Sequence, residues 1–136
     1  MLNLPIESKP GQSYKYLSGN TQLLGMVIEK ATGEKMSDYF SARFWQPMGA
    51  ENDALWQVDR DGGTEKAYCC IASGARDFSR MGKLYMHQGN WEGKQLLDSA
   101  LVAKFTKPRF DESPEYGYGW WLGNHKGKRF FMMNGH

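Results

Sequence analysis

The sequence predicts an α+β fold, with helices first and an antiparallel hairpin at the end. Three observations carry this reading. Apolar residues recur at helical spacing in several separated runs within residues 1–110. From Tyr116 the pattern changes to strict alternation, Tyr116-Gly117-Tyr118-Gly119-Trp120, and Arg129 to Met133 forms a second β-prone aromatic run. The order, helices and then strands, differs from the strand–helix alternation of a parallel doubly wound sheet. The chain therefore divides into a mostly helical part, residues 1–110, and the strands of an antiparallel sheet, residues 111–136.

Pro10-Gly11 marks a turn, and Tyr14-Lys15-Tyr16 follows as a short extended segment. From Asn20, the residues Leu23, Leu24, Val27 and Ile28 describe one face of a helix that Gly33 stops. A second helix has Ser37 as its N-cap and Met36, Phe40 and Phe44 four residues apart, and Pro47 and Gly49 end it. Residues 50–66 are polar and glycine-bearing, a surface excursion. The apolar run Ala67 to Ala72 is too short for periodicity to assign. A third helix starts near Ala75, buries Phe78, Met81, Leu84 and Tyr85, and stops at Gly89. Asn90 to Gln95 reads as a turn with a tight strand pair. Asp98 or Ser99 caps a fourth helix carrying Val102 and Phe105, closed before Pro108. In the final hairpin, Gly123 to Gly127 is the loop. Two strands alone are marginal in water, so this aromatic hairpin calls for further strands beside it.

Bulk properties exclude several classes. At 40% hydrophobic and 14% aromatic the chain is rich enough in apolar residues for a packed core, not for disorder. A net charge of +2, with Lys and Arg scattered among Asp and Glu, lacks the basic block of a nucleic-acid surface. The cluster Lys126, Lys128, Arg129 reads as a solvated turn and strand start. No apolar run approaches the ~20 residues needed to span a bilayer. Met1 to Pro5 lacks the features of a secretion signal, so any such signal lies upstream. The two cysteines, Cys69 and Cys70, are adjacent, and bonds between neighbours are rare; they read as two buried thiols.

Among residues that could carry chemistry, Tyr16 and Ser18 come first. An extended segment sets both side chains on one face of the backbone. A phenol with a pKa near ~10 is a poor base at neutral pH, but a lysine ammonium beside it stabilises the phenolate and makes it a usable proton acceptor. Ser18 could then exchange a hydrogen bond with a substrate carbonyl or amide. Tyr-x-Ser alone is a weak pattern, and packing of Tyr16 against a helix remains the alternative. Trp120 and Trp121 point to opposite faces of a strand, so one could line a substrate pocket while the other is core. His87 and His125 have no ligand spacing with each other or with the cysteines, and no metal site is expected. Arg76-Asp77 reads as a helix start with a local charge partner.

The run from Leu4-Pro5 through Lys9-Pro10-Gly11-Gln12-Ser13-Tyr14-Lys15-Tyr16-Leu17-Ser18-Gly19-Asn20 to Gly25 resembles the tyrosine-containing second motif of the serine β-lactamase-like hydrolases. That superfamily includes class C β-lactamases, D-Ala-D-Ala peptidases, esterases and 6-aminohexanoate-dimer hydrolases. Further similarities follow in order: Phe44-Trp45-Gln46-Pro47-Met48-Gly49, Ala72-Ser73-Gly74-Ala75-Arg76-Asp77-Phe78, Gly89-Asn90-Trp91-Glu92-Gly93-Lys94-Gln95, and Tyr116-Gly117-Tyr118-Gly119-Trp120-Trp121. The likeness is collinear over essentially the whole chain. The 6-aminohexanoate hydrolase and esterase branch resembles it most, through Tyr16, Ser18 and Lys66-Ala67-Tyr68-Cys69-Cys70.

The resemblance implies a partial serine-β-lactamase/penicillin-binding-protein-like fold and acyl transfer through a covalent serine ester. The family nucleophile and its lysine sit as Ser-x-x-Lys on one helical turn. No serine of this chain has a lysine three residues later, so the nucleophile is expected upstream. Tyr16 matches the motif tyrosine that serves as general base or proton relay. Ser18 stands where many members carry Asn, a departure that tells against β-lactam hydrolysis in particular. His136 would open the third motif, His-x-Gly in the esterase-like branch, and face the cleft. The catalytic set so implied is Tyr16, Ser18 and His136, with Trp120 and Trp121 binding substrate.

The resemblance implies no metal or organic cofactor. It implies a small-molecule amide, ester or peptide substrate and the N-terminal part of the same protein as partner; it favours a periplasmic or cell-envelope setting without fixing the compartment. By itself the segment is expected to be inert. A non-catalytic binding relative of the same fold is the second reading, and a self-contained interaction domain the third.

Overall fold

The computed structural model describes residues 5–134. They form two compact units, one holding Tyr16–Met81 and the other Ile6–Lys15 together with the chain from Gly82 onward. The architecture is helices with small antiparallel strand pairs, as the sequence predicts.

In the first unit, α1 spans Ser18–Thr32, two residues earlier than expected. Leu17 is extended (φ −139°, ψ 115°), and its carbonyl accepts the Asn20 N–H at 3.0 Å, so the helix begins at Ser18. Gly33, at φ 75°, ends it by donating its N–H to the Glu29 carbonyl at 2.8 Å. The apolar positions do not form the buried face that their spacing suggests. Leu23, Leu24 and Val27 are exposed, and the residue α1 buries is Gly25. A Cβ at Gly25 would stand 2.7 Å from both the Ala67 Cβ and the Met36 Sδ. The helix therefore lies with its bare backbone against residue 67.

Next comes α2, Met36–Phe40, which continues as a π-helical turn over Ser41–Trp45. Ser37 does not cap it, because the N-cap position falls on Lys35. Instead the Ser37 N–H donates to Glu65 Oε1 at 3.3 Å and the Ser37 hydroxyl donates to the same oxygen. A carboxylate from 28 residues away supplies the acceptor that the helix start needs. Met36, Trp45 and Met48 are buried here. Phe40 packs within 5.8 Å of Trp45 and edge-on to Trp56 at 6.2 Å, and Trp45 meets Phe78 edge-on.

The unassigned run Ala67 to Ala72 ends in a strand: β1 (Leu55–Trp56) pairs antiparallel with β2 (Ile71–Ala72). Cys69 and Cys70 are joined to each other as a disulfide, which overturns the reading of two buried thiols. Cys69 is half-buried and Cys70 exposed. Both carbonyls are tied down, that of Cys69 by Trp56 Nε1–H at 3.1 Å and that of Cys70 by Gln57 N–H at 3.0 Å.

A third helix, α3, spans Ala75–Met86. In the second unit, Leu84, Val102 and Trp120 are buried. Strands β3 (Asn90–Trp91) and β4 (Lys94–Gln95) turn through Glu92 and Gly93, both at positive φ (50° and 90°), the primed geometry that suits a two-residue hairpin. Helix α4 spans Ser99–Phe105, and Asp98 caps it by accepting the Leu101 N–H at 3.0 Å.

The last hairpin is displaced from its expected place. Tyr116 to Trp120 is a tight turn: Gly117 N–H donates to the Trp120 carbonyl at 2.9 Å, and Tyr118 N–H to the Phe105 carbonyl at 3.1 Å. A Cβ on Gly117 would collide with the Phe105 and Lys107 carbonyls, so glycine is required for this close approach. The strands are β5 (Trp121–His125) and β6 (Lys128–Met132), joined by Lys126 and Gly127 at φ 50° and 77°. The five-residue loop shrinks to two because Lys126 accepts a left-handed conformation. Among the described residues no helix is long and apolar enough to cross a membrane.

Candidate functional site

The first part of the site is built on the start of α1. Tyr16 and Leu17 lie exposed on the segment before the helix, and Ser18, also exposed, is its first residue. Lys15, the lysine adjacent to Tyr16, is held by the Glu7 carboxylate. That carboxyl is lowered below its ordinary value, first by the hydrogen bond from Lys15 and then by its charge. By helical periodicity the exposed Leu23, Leu24 and Val27 share one face of α1.

What holds α1 in place is polar. The Gln22 side chain pairs with segment 65–67 as a strand would, its Nε2 donating to the Glu65 carbonyl at 3.0 Å and its Oε1 accepting the Ala67 N–H at 2.9 Å. Glu65 is only 4% exposed. Burial pushes its carboxyl up, but hydrogen bonds led by the Ser37 hydroxyl outweigh this and hold it below the ordinary value. The sequence reading missed both Gln22 and Glu65. Their partners lie 28 to 45 residues away, and no local pattern marks them.

Asp77 is fully buried and clamps the chain before β1. It accepts from Glu51 N–H at 2.9 Å, Asn52 N–H at 3.1 Å and Asn52 Nδ2 at 2.9 Å. The hydrogen bond from the Glu51 backbone leads the causes that lower its carboxyl, and the Arg80 charge adds to them. Arg80 also donates to the Gly49 carbonyl and to Glu51 Oε1. Arg76-Asp77 thus begins α3 with a structural carboxylate.

The second unit carries the tryptophans. Trp120 is buried, its ring centroid 4.4 Å from Tyr85 and 4.9 Å from Phe131. Burial raises the Tyr85 phenol, partly offset by a hydrogen bond with the Trp120 side chain. Trp121 is half-buried in β5, edge-on to Tyr116 at 4.9 Å, and Tyr116 stacks on Tyr14 at 4.7 Å. His87 and His125 are exposed, and among the described residues no group of His, Cys, Asp and Glu is placed to hold a metal ion. His136 lies outside the described residues. Tyr16 and Ser18 thus stand together in the first unit, and Trp120 and Trp121 together in the second.

The comparisons with known proteins agree with this architecture. The chain is 28% identical over 127 residues to the 6-aminohexanoate-dimer hydrolase of Paenarthrobacter ureafaciens, covering 84% of this chain and 32% of that protein. A solved structure named "Putative 6-aminohexanoate-dimer hydrolase from Bacillus anthracis" superposes with a TM-score of 0.76 at 26% identity, covering 88% of this chain and 32% of the other. A second, "putative beta-lactamase from Bacteroides dorei", superposes with a TM-score of 0.74 over 88% of this chain and 42% of the other; at 20% identity it speaks for the fold alone. The chain thus spans about a third of the Paenarthrobacter ureafaciens hydrolase's own length. The beta-lactamase family model matches residues 1–136, from one end of the chain to the other, and the chain belongs to the beta-lactamase family.

Proposed function

We propose that this chain is the C-terminal-side segment of a serine hydrolase that cleaves an amide or ester through a covalent acyl-enzyme. Its nucleophile would come from a Ser-x-x-Lys turn upstream. The observation that carries this is Tyr16-Leu17-Ser18 standing exposed at the start of α1 in a chain that the family matches throughout. The relatives are named hydrolases, which supports hydrolysis of a small-molecule amide, ester or peptide.

In this reading the upstream serine attacks the carbonyl carbon, and Tyr16 takes up or relays its proton. Tyr16 returns that proton to the departing amine or alkoxide, and water then opens the acyl-enzyme by the same route reversed. Ser18 orients the substrate polar group. His136 lies outside the described residues; the family resemblance gives it the substrate carbonyl or carboxylate as hydrogen-bond partner. Trp121, half-buried, lines the substrate surface, while the buried Trp120 packs on Phe131. The exposed face of Leu23, Leu24 and Val27 supports a partner in the N-terminal part of the same protein, since burying such side chains is worth about 1.5–3 kcal/mol each.

The test is intact-mass labelling of the full-length protein with a fluorophosphonate, wild type beside Tyr16→Phe. One adduct on the wild type is expected, forming roughly 10²–10⁴-fold more slowly in the variant. An unlabelled wild type would leave a binding protein on a hydrolase fold. Equal rates would remove Tyr16 from the proton path.

A further inference from the structure

The loop between β1 and β2 carries a group that hydrolysis does not use, the disulfide between neighbours Cys69 and Cys70. Its place argues against a role as a staple. A disulfide stabilises chiefly by closing a long loop in the unfolded chain, and this one closes over a single peptide bond, the least such constraint possible. Nor does it sit in the core: Cys70 is an exposed residue and Cys69 half-buried. Cys70 also holds a φ of 76°, a conformation that non-glycine residues seldom adopt and that marks a site worth explaining.

The backbone around the pair is fixed independently of the sulfurs. Cys69 N–H donates to the Lys66 carbonyl at 3.1 Å, Trp56 Nε1–H donates to the Cys69 carbonyl at 3.1 Å, and Gln57 N–H donates to the Cys70 carbonyl at 3.0 Å. These bonds involve backbone atoms and not the sulfurs, so opening the S–S bond removes none of them directly.

We propose that Cys69–Cys70 is a reversible thiol–disulfide site whose reduced form captures monosubstituted trivalent arsenicals as a two-sulfur chelate. A thiolate of a dithiol reductant attacks the Sγ of Cys70, the more exposed residue of the pair, and Cys69 leaves as thiolate and takes a proton. The second thiol of the reductant then displaces Cys70 and becomes a disulfide. Two electrons and two protons pass to the protein. With an arsenoxide, R–As=O, the two thiols form two S–As bonds and release one water, the arsenic remaining trivalent. The ligand class follows from the donor count. No group of three or more His, Cys, Asp and Glu side chains gathers as a metal site among the described residues, whereas an arsenic that already carries one substituent needs only two sulfurs.

The experiment uses the purified protein, iodoacetamide and phenylarsine oxide, read by intact mass and peptide mapping. Without reductant, neither cysteine is alkylated; after a dithiol reductant and its removal, both are. One equivalent of phenylarsine oxide then adds once per chain and protects both thiols. Cys69→Ser and Cys70→Ser each weaken arsenical retention roughly 10²–10⁴-fold, the loss expected when a second, intramolecular bond is removed. Alkylation of both cysteines without reductant would overturn the proposal. So would a reduced wild type that holds the arsenical no more tightly than either serine variant.

Discussion

Replacing Gly25 with alanine tests how α1 is seated. The new Cβ would lie 2.7 Å from the Ala67 Cβ and from the Met36 Sδ, about 1 Å inside ordinary carbon contact. Met36 can swing aside, because a methionine side chain is unbranched and adaptable. Ala67 cannot, because its methyl moves only with a backbone that Gln22 holds from both sides, through the Glu65 carbonyl and the Ala67 N–H. Overpacking of this kind costs about 1–3 kcal/mol. Against it stands a helix-propensity gain of about 0.8–1.0 kcal/mol for Gly→Ala. The net is a loss of about 1 kcal/mol. Gly82 in α3 is the control, since nothing lies within 4 Å of its added Cβ. Gly82→Ala should gain about 0.5–1 kcal/mol. The two variants then differ by about 2 kcal/mol, or roughly 1 M in urea midpoint. Unfolding both beside the wild type measures this. A Gly25→Ala midpoint at or above that of Gly82→Ala would refute the seating of α1 on residue 67.

The remaining predictions concern single groups. Glu65 and Asp77 both hold their carboxyls below the ordinary values of 4.5 and 3.8, so the folded state binds fewer protons than the unfolded. Their contribution is complete above those values and is lost as pH falls through the lowered ones. The urea midpoint should stay level down to about pH 5 and then fall, less steeply in Glu65→Gln than in the wild type. Asp77→Ala leaves the Glu51 and Asn52 amides without their acceptor, and hydrogen exchange at both should quicken while the far end of α3 is unchanged. Asp98→Ala removes the side-chain cap of α4 and should cost about 1 kcal/mol in thermal unfolding, most of it restored by Asp98→Asn.

The sequence by itself determined the class of fold and the family, because the signals for both are local or collinear. Gly33 stops α1, Asp98 caps α4 and the aromatic hairpin ends the chain, each through chemistry acting within a few residues. The run around Tyr16 and Ser18 was legible in the same way, as an ordered string of residues. Tertiary structure decided the rest. It turned the Tyr116 to Trp120 alternation into a tight turn, because Gly117 lets the backbone approach the Phe105 carbonyl where any side chain would collide. It buried Gly25 and exposed Leu23, Leu24 and Val27, reversing the face that spacing indicates. It gave the start of α2 to Glu65 and the hold on α1 to Gln22, and it joined Cys69 to Cys70. A helical pattern states which residues share a face. What that face meets depends on contacts from tens of residues away, such as the 43 that separate Gln22 from Glu65, and no local pattern encodes them.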